Sequence, residues 1–435
     1  MKHLIFKSLL SLSLCAVCIL AAGETPGNVA KGKYDGIRWS ISDGGVLTIS
    51  GKGDIPDFSK KNGEEPTVAD RPWAEYRQQV KELVVEKGIT RIGDRAFQNF
   101  KSLHKAEIAP TVKSVGKWAF QNCGSLTDIS ISENTMLKTG SFRGTPVLAE
   151  VKGAEKTAYT TSDYYRKLCE VPLTGNFRED MINIAKSQDG YHEGDSEADF
   201  DGMNTESKKD YTEFGRYLDS AGSAWCSEFG SWCVRMSGLP MDVFKSSLSA
   251  RAKTFTEGTP SAYYVWEDLV FGGGSYTPKP GDLVLWSWKL EDFSPDVHVS
   301  HTSIFNWAEP KDDGRLVFHT IDGNRRNHAG ECSYTVWEKD GCRVNGKGRV
   351  CFIVSPAYDD ASIEKHQVRF DCCGGTVRSE SKTVAKGGLY GPLPIPSKKG
   401  AKFAGWFTEP KGGKLVNMYT IVKGTEDHTL YAHWD

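Results

Sequence analysis

A cysteine, a histidine and a carboxylate, which together can make and break an acyl bond, lie in order through the middle of this chain. Cys226 sits in Ser223-Ala224-Trp225-Cys226-Ser227-Glu228-Phe229-Gly230-Ser231-Trp232-Cys233. Phe229, Trp232, Cys233 and Met236 recur at steps of three and four, so the segment reads as an amphipathic helix with Cys226 in its first turn. Free N–H groups and the positive end of the helix dipole favour a thiolate there, and the thiolate is the nucleophile. His301 opens an alternating run to Trp307, and a polar loop over 308–314 leads into a second apolar run over 316–321. If Trp307 pairs with Arg315, Ile321 falls opposite His301, and Asp322 and Asn324 come within reach of the ring. A thiol, a base for its proton and a third group to orient the base, Asp322 or Asn324, form a set for covalent acyl transfer that needs no metal or organic cofactor. The competing histidines differ in weight: the period of two puts His298 and His319 on the other face, while His328 follows the turn and stays a competitor. The plain alternative for Cys226 is a buried structural thiol.

The elements that position these residues belong to a multidomain chain. At 435 residues it is too long for one ordinary domain, and 39% hydrophobic with 25% charged content is globular. A net charge of −2 gives no electrostatic reason for a nucleic-acid partner. Residues 1–22 carry Lys2, His3 and Lys7 before an apolar stretch and end in Ala21-Ala22, the layout of a cleaved secretory signal. Export to the medium or the cell envelope is the expected fate, with Cys18 a candidate lipid anchor although Val17 is larger than that processing prefers. No later segment is long and apolar enough for a transmembrane span. Setting aside Cys15, Cys18 and Cys226 leaves eight of the 11 cysteines, an even number compatible with disulfides, and Cys332–Cys342 is the preferred pair. Short-spaced His/Cys clusters suited to zinc are missing from the mature sequence.

Over 34–158 the chain repeats itself. Ile89-Thr90-Arg91-Ile92-Gly93-Asp94-Arg95-Ala96-Phe97-Gln98-Asn99 returns 23 residues later as Val112-Lys113-Ser114-Val115-Gly116-Lys117-Trp118-Ala119-Phe120-Gln121-Asn122, and a degenerate third copy ends in Phe142. Short strands at 83–85, 106–108 and 129–131 share the period, and stacked units would close a common core. The pattern resembles the leucine-rich repeats of bacterial surface antigens, with the segments around Trp39 and Arg71-Pro72-Trp73 resembling their N-terminal cap. That resemblance implies a solenoid and a surface or protein ligand of unspecified identity.

The section over 176–357 resembles the CHAP family of cysteine- and histidine-dependent amidohydrolases and peptidases. The matching pieces, in order, are Ile182-Asn183-Ile184-Ala185-Lys186, Thr212-Glu213-Phe214-Gly215-Arg216-Tyr217, Ala224-Trp225-Cys226, Pro280-Gly281-Asp282-Leu283-Val284, Ser300-His301-Thr302-Ser303 and Ile321-Asp322-Gly323-Asn324. The resemblance implies a papain-like α+β fold with an antiparallel sheet and a Cys226–His301–Asp322/Asn324 site acting on peptidoglycan or its stem peptides. It also implies that Phe214, Tyr217 and Trp225 line the substrate approach, although core packing suits them equally well. Asp282 reads as a turn residue. Departures are the aspartate where the family usually has glutamate, Thr302-Ser303 where valine and glycine are common, and a polar acidic insert over 189–209.

Residues 364–435 hold short strands between glycine-rich turns, and they resemble the small all-β repeat of internalins and other exported bacterial proteins. The expectation for the whole is a secreted thiol-dependent peptidoglycan amidase or endopeptidase. Its rivals are a surface adhesion protein with an inactive central scaffold and a cysteine peptidase acting on proteins.

Overall fold

The computed structural model describes residues 28–435 apart from 35, 59–70, 133, 139, 144, 148–162, 196–206, 219–221, 223, 241–261, 266–275, 277, 289–298, 340, 341 and 360. The expected secretory leader, residues 196–206 of the acidic insert and His298 lie outside the described residues. Among those described, no helix is long and apolar enough to cross a membrane.

The 23-residue period becomes a parallel ladder. Val46–Gly51, Glu82–Val85, Lys105–Ile108 and Asp128–Ser130 pair in register, and a second set, Gly53–Asp54, Ile89–Ile92, Ser114–Val115 and Met136–Leu137, runs beside it. Equivalent side chains stack: Phe97 on Phe120 at 5.3 Å between ring centroids, then Phe120 on Phe142 at 4.8 Å. The asparagine ladder continues the register, Asn122 Nδ2 donating to Asn99 Oδ1 at 3.0 Å. Trp73 closes the N-terminal end, buried against Phe97 and donating its indole N–H to the Ala96 carbonyl at 2.9 Å.

The central section is a helix layer against a seven-stranded antiparallel sheet. The sheet order is Ala262–Val265, Arg349–Ser355, Leu283–Ser287, His301–Pro310, Leu316–Arg325, His328–Lys339, Cys342–Val344. A last pairing, Val344 with Arg349, joins the far strand back to the second and closes six strands into a barrel. Alternation then sorts the side chains. Val284, Trp286, Phe305, Phe318, Tyr334 and Val350 form one apolar cluster, whereas Leu283, Leu285, Ile304 and Ile321 join the core shared with the helices. Two helices supply most of that layer: Phe177–Ser187, capped by Asn176, and Cys226–Met236, every residue of which is buried. The latter approaches the sheet closely because glycine faces it twice. A Cβ on Gly323 would lie 2.5 Å from the Cβ of Phe229, and one on Gly230 would lie 3.2 Å from Leu283 Cδ2.

The hairpin register differs from the expectation. The His301–Pro310 strand runs on through Ala308, Glu309 and Pro310, which pair with Phe318, Val317 and Leu316, so the loop shrinks to 311–315. Ile321 therefore opposes Ile304 instead of His301, and Asp322 opposes Ser303, with a bulge at Asn306. Polar exposed residues had marked 308–310 as loop, but at a solvent-facing strand end they cost nothing. The expected Cys332–Cys342 disulfide is also absent: Cys332 is a free thiol opposite Thr320, while Cys342 pairs with Lys339, seven residues and ~23 Å further along.

Residues 364–435 fold as a five-stranded sheet with its own core of Val368, Phe370, Trp406 and Leu430. Its other side is not free: Leu389, Met418, Tyr419 and Ile421 belong to the same core as the central helices.

Candidate active site

Cys226 is the first residue of its helix and His301 the first of its strand. Both therefore sit at rims: no helical turn precedes Cys226, and His301 pairs on one side only, with Trp286. They meet. His301 hydrogen bonds the Cys226 thiol and, through Nε2, Asp322 Oδ2 at 2.7 Å, which leaves Nδ1 as the ring nitrogen for the sulfur. Burial on its own would raise the thiol pKa. The His301 hydrogen bond and charge, followed by the Thr302 backbone N–H and the Ser227 hydroxyl, outweigh burial and hold it below its ordinary value. Burial likewise opposes a charged His301, but its hydrogen bonds to Asp322 and Cys226 and their charges raise the imidazole to about 10. Both shifts favour the charged forms, thiolate at Cys226 and imidazolium at His301. Cys123, Cys169 and Cys332 show the contrast, each pushed by burial up to about 12.

Asp322 is fully buried and bound from four sides. Oδ2 accepts from His301, from Ser303 Oγ at 3.0 Å and from Tyr334 OH at 2.5 Å, while Oδ1 accepts from Thr320 Oγ1 at 2.6 Å. Ser303 is held in turn by the Trp286 indole N–H at 3.0 Å. Its neighbour Thr302 faces the helix and bonds Ser227 across 2.8 Å. Sequence reasoning noted Thr302-Ser303 only as a departure and missed Tyr334 and Thr320. The register points to Ser303, which opposes Asp322, and the period of two points to Thr320, which shares its face.

Asn324 does not reach the ring in this arrangement. It takes a positive φ of 53° and donates Nδ2 to Asp210 Oδ1 at 3.0 Å, on the wall of the cleft. Trp225, Phe214 and Tyr217 do not line the approach either. Trp225 and Phe214 are completely buried in an aromatic cluster with Tyr191, Phe229 and Trp232, Trp225 donating to Glu193 Oε2 at 2.8 Å. Tyr217 stacks on Tyr419 at 5.3 Å. Large aromatics beside a helix start are drawn into the core by the area they bury. The exposed aromatic at the site is Trp288, stacked 5.9 Å from His301. It and Cys226, His301 and Asn324 line a cleft of about 430 Å³ with Arg325, Arg326 and Lys347. The competing histidines lie elsewhere: His319 stacks on Trp307 at 3.7 Å, and His328 bonds the Arg326 carbonyl. Asp282 is a buried turn anchor gripped by Arg178 at 2.9 Å and Tyr276 at 2.5 Å.

Comparison with known families identifies both ends of the chain. Residues 74–184 match the BspA type leucine rich repeat region, in six copies, and residues 366–433 match the Listeria-Bacteroides repeat domain. The first match runs beyond the last repeat strand into the Phe177–Ser187 helix. The two matches leave 185–365 uncovered, and no CHAP family model matches there. Among solved structures, a leucine-rich repeat protein from Eubacterium ventriosum is similar at 30% identity over 27% of this chain and 30% of its own, with a TM-score of 0.24. A leucine rich cell surface protein from Faecalibacterium prausnitzii is similar at 24% identity over 26% of this chain and 34% of its own, with a TM-score of 0.14. The chain spans about a third of the length of each. No curated protein is significantly similar.

Proposed function

We propose that the chain is a thiol-dependent amide hydrolase carried at a bacterial surface, cutting an amide bond of peptidoglycan stem peptides. The observation that carries this reading is His301 bonded at once to Cys226 and to Asp322, with the thiol pKa lowered despite burial. The helix layer packed on an antiparallel sheet, with Cys226 and His301 opening their elements, supports the papain-like resemblance. The BspA-type repeats and the Listeria-Bacteroides repeat support a place at the cell surface.

In this mechanism Cys226 Sγ attacks the amide carbon, and the oxyanion is held by the Cys226 backbone N–H at the helix start. His301 gives its proton to the departing amine as the C–N bond breaks, leaving a thioester. Water then attacks the thioester, His301 takes a proton from it, and the acid leaves as the thiolate and imidazolium are restored. Asp322 holds the ring and its charge throughout.

The test is a digest of purified peptidoglycan by the mature protein and by Cys226→Ala, read by mass spectrometry. Release of wall peptides by the parent alone supports the hydrolase, and the new ends name the bond. No release by either protein moves the assignment to the second reading, a surface binding protein that uses the repeat face, which is favoured by the architectural nature of both family matches.

A further inference from the structure

The turn after Asp322 places charge where a substrate would lie. Arg325 pairs with His328, so Arg326 and Asn327 are the two central residues of a hairpin turn, and their φ angles are 53° and 70°. Asparagine and glycine suit such positions; arginine, with its Cβ and long stem, does not. Arg326 nonetheless occupies one, exposed, on the wall of the Cys226–His301 cleft. Arg325 and Lys347 line the same cleft, Lys347 from the turn joining Cys342–Val344 to Arg349–Ser355. Arg325 is engaged with Tyr334, bonding its hydroxyl at 3.3 Å and lying 5.4 Å over its ring. Beside His301, the described lining therefore carries three permanent cations, Arg325, Arg326 and Lys347, and none of the described lining residues is a carboxylate.

These charges are not needed to hold the thiolate, whose lowered pKa traces to His301, Thr302 and Ser227. We infer that the cleft selects a peptide bearing a free carboxylate close to the scissile amide, received by Arg326 and Lys347. The inference rests on the thiol-hydrolase reading of Cys226. Arginine presents a fork that matches a carboxylate and lysine a compact point charge, so the pair gives orientation and attraction together. A positive cleft also concentrates anionic substrates, in a way that salt weakens.

The charge can be read without knowing the substrate. Iodoacetate and iodoacetamide alkylate the same sulfur and differ in carrying or lacking a carboxylate. The mature protein is compared with an Arg326→Gly/Lys347→Gln variant, in which glycine suits the positive φ and circular dichroism checks folding. The expected result is that the iodoacetate-to-iodoacetamide rate ratio at Cys226 falls roughly three- to fivefold in the variant at low salt. In the parent the ratio should also fall as salt rises. An equal ratio in both proteins, with Cys226 reacting normally, overturns the anion site and leaves the thiol reading standing. No alkylation of native Cys226 by either reagent removes the thiol reading and this inference with it. Competing peptides resolve the source of the carboxylate: protection lost on C-terminal amidation marks a terminal carboxylate, and protection lost on Glu→Gln exchange marks a side chain. Equal protection by the fully uncharged peptide counts against the proposal.

Discussion

At the scale of single residues, Asp322 bears the heaviest demand. Four donors converge on a buried carboxylate, and an amide in its place would offer one oxygen where two are used. Asp322→Asn should therefore lower hydrolysis by on the order of 100- to 10,000-fold while the fold survives, as steady-state rates and circular dichroism will show. Tyr334→Phe removes one of the four donors and should cost about 1 kcal/mol in denaturant unfolding with a smaller loss of rate. The acid–base balance has a direction that can be measured. The thiol pKa is lowered and the imidazole raised to about 10, so alkylation of Cys226 should set in at lower pH than for an ordinary thiol and persist above pH 10. Turnover should instead fall as pH rises through about 10, because the imidazolium that protonates the leaving amine is lost. Parallel decline of both would contradict these roles. Cys233, two turns further along the same helix and pushed well up by burial, should stay unlabelled until denaturation.

At the scale of elements, the hairpin turn beyond Asp322 holds an arginine in a left-handed conformation at a cost in stability. Arg326→Gly relieves a left-handed residue and should raise unfolding free energy by about 1 kcal/mol, in the same protein whose anion preference declines. Gly323→Ala has the opposite sign. Its methyl would meet Phe229 at 2.5 Å, so a loss of about 1–3 kcal/mol is expected, with the Asp322 strand pushed off the helix. These elements also show what a sequence can and cannot convey. The Cys226 helix is legible because its apolar steps of three and four have one solution. The hairpin is legible as a pair of strands, but its register is not: the bulge at Asn306 and the exposed end at Ala308-Glu309-Pro310 leave no alternation to count. Once the register slips, Ser303 cannot be recognised as a partner of Asp322. Barrel closure is hidden for a similar reason, since it rests on the single pair Val344 and Arg349.

At the scale of the molecule, the repeat period is the most readable feature, because identical side chains 23 residues apart must stack. The contact between the ends of the chain is the least readable. Tyr419 of the last module stacks on Tyr217 and donates its hydroxyl to Glu213, a buried acid that also pairs with Arg216, and Lys423 reaches Asp128 of the repeats at 3.2 Å. No local pattern announces a partner 206 residues away. Tyr419→Phe should cost about 1–3 kcal/mol in unfolding free energy by depriving Glu213 of that bond. Removing residues 364–435 should leave the central helices exposed and the remainder prone to aggregation, which light scattering would detect.

The docking of Tyr419 has a consequence for timing. Cys226 leaves the ribosome 193 residues ahead of Tyr419, so the core around its helix stays open until the last module follows. On the secreted-hydrolase reading, a chain threaded through a translocon would carry an unfinished site, and the proposed thiol would first assemble on the far side of the membrane.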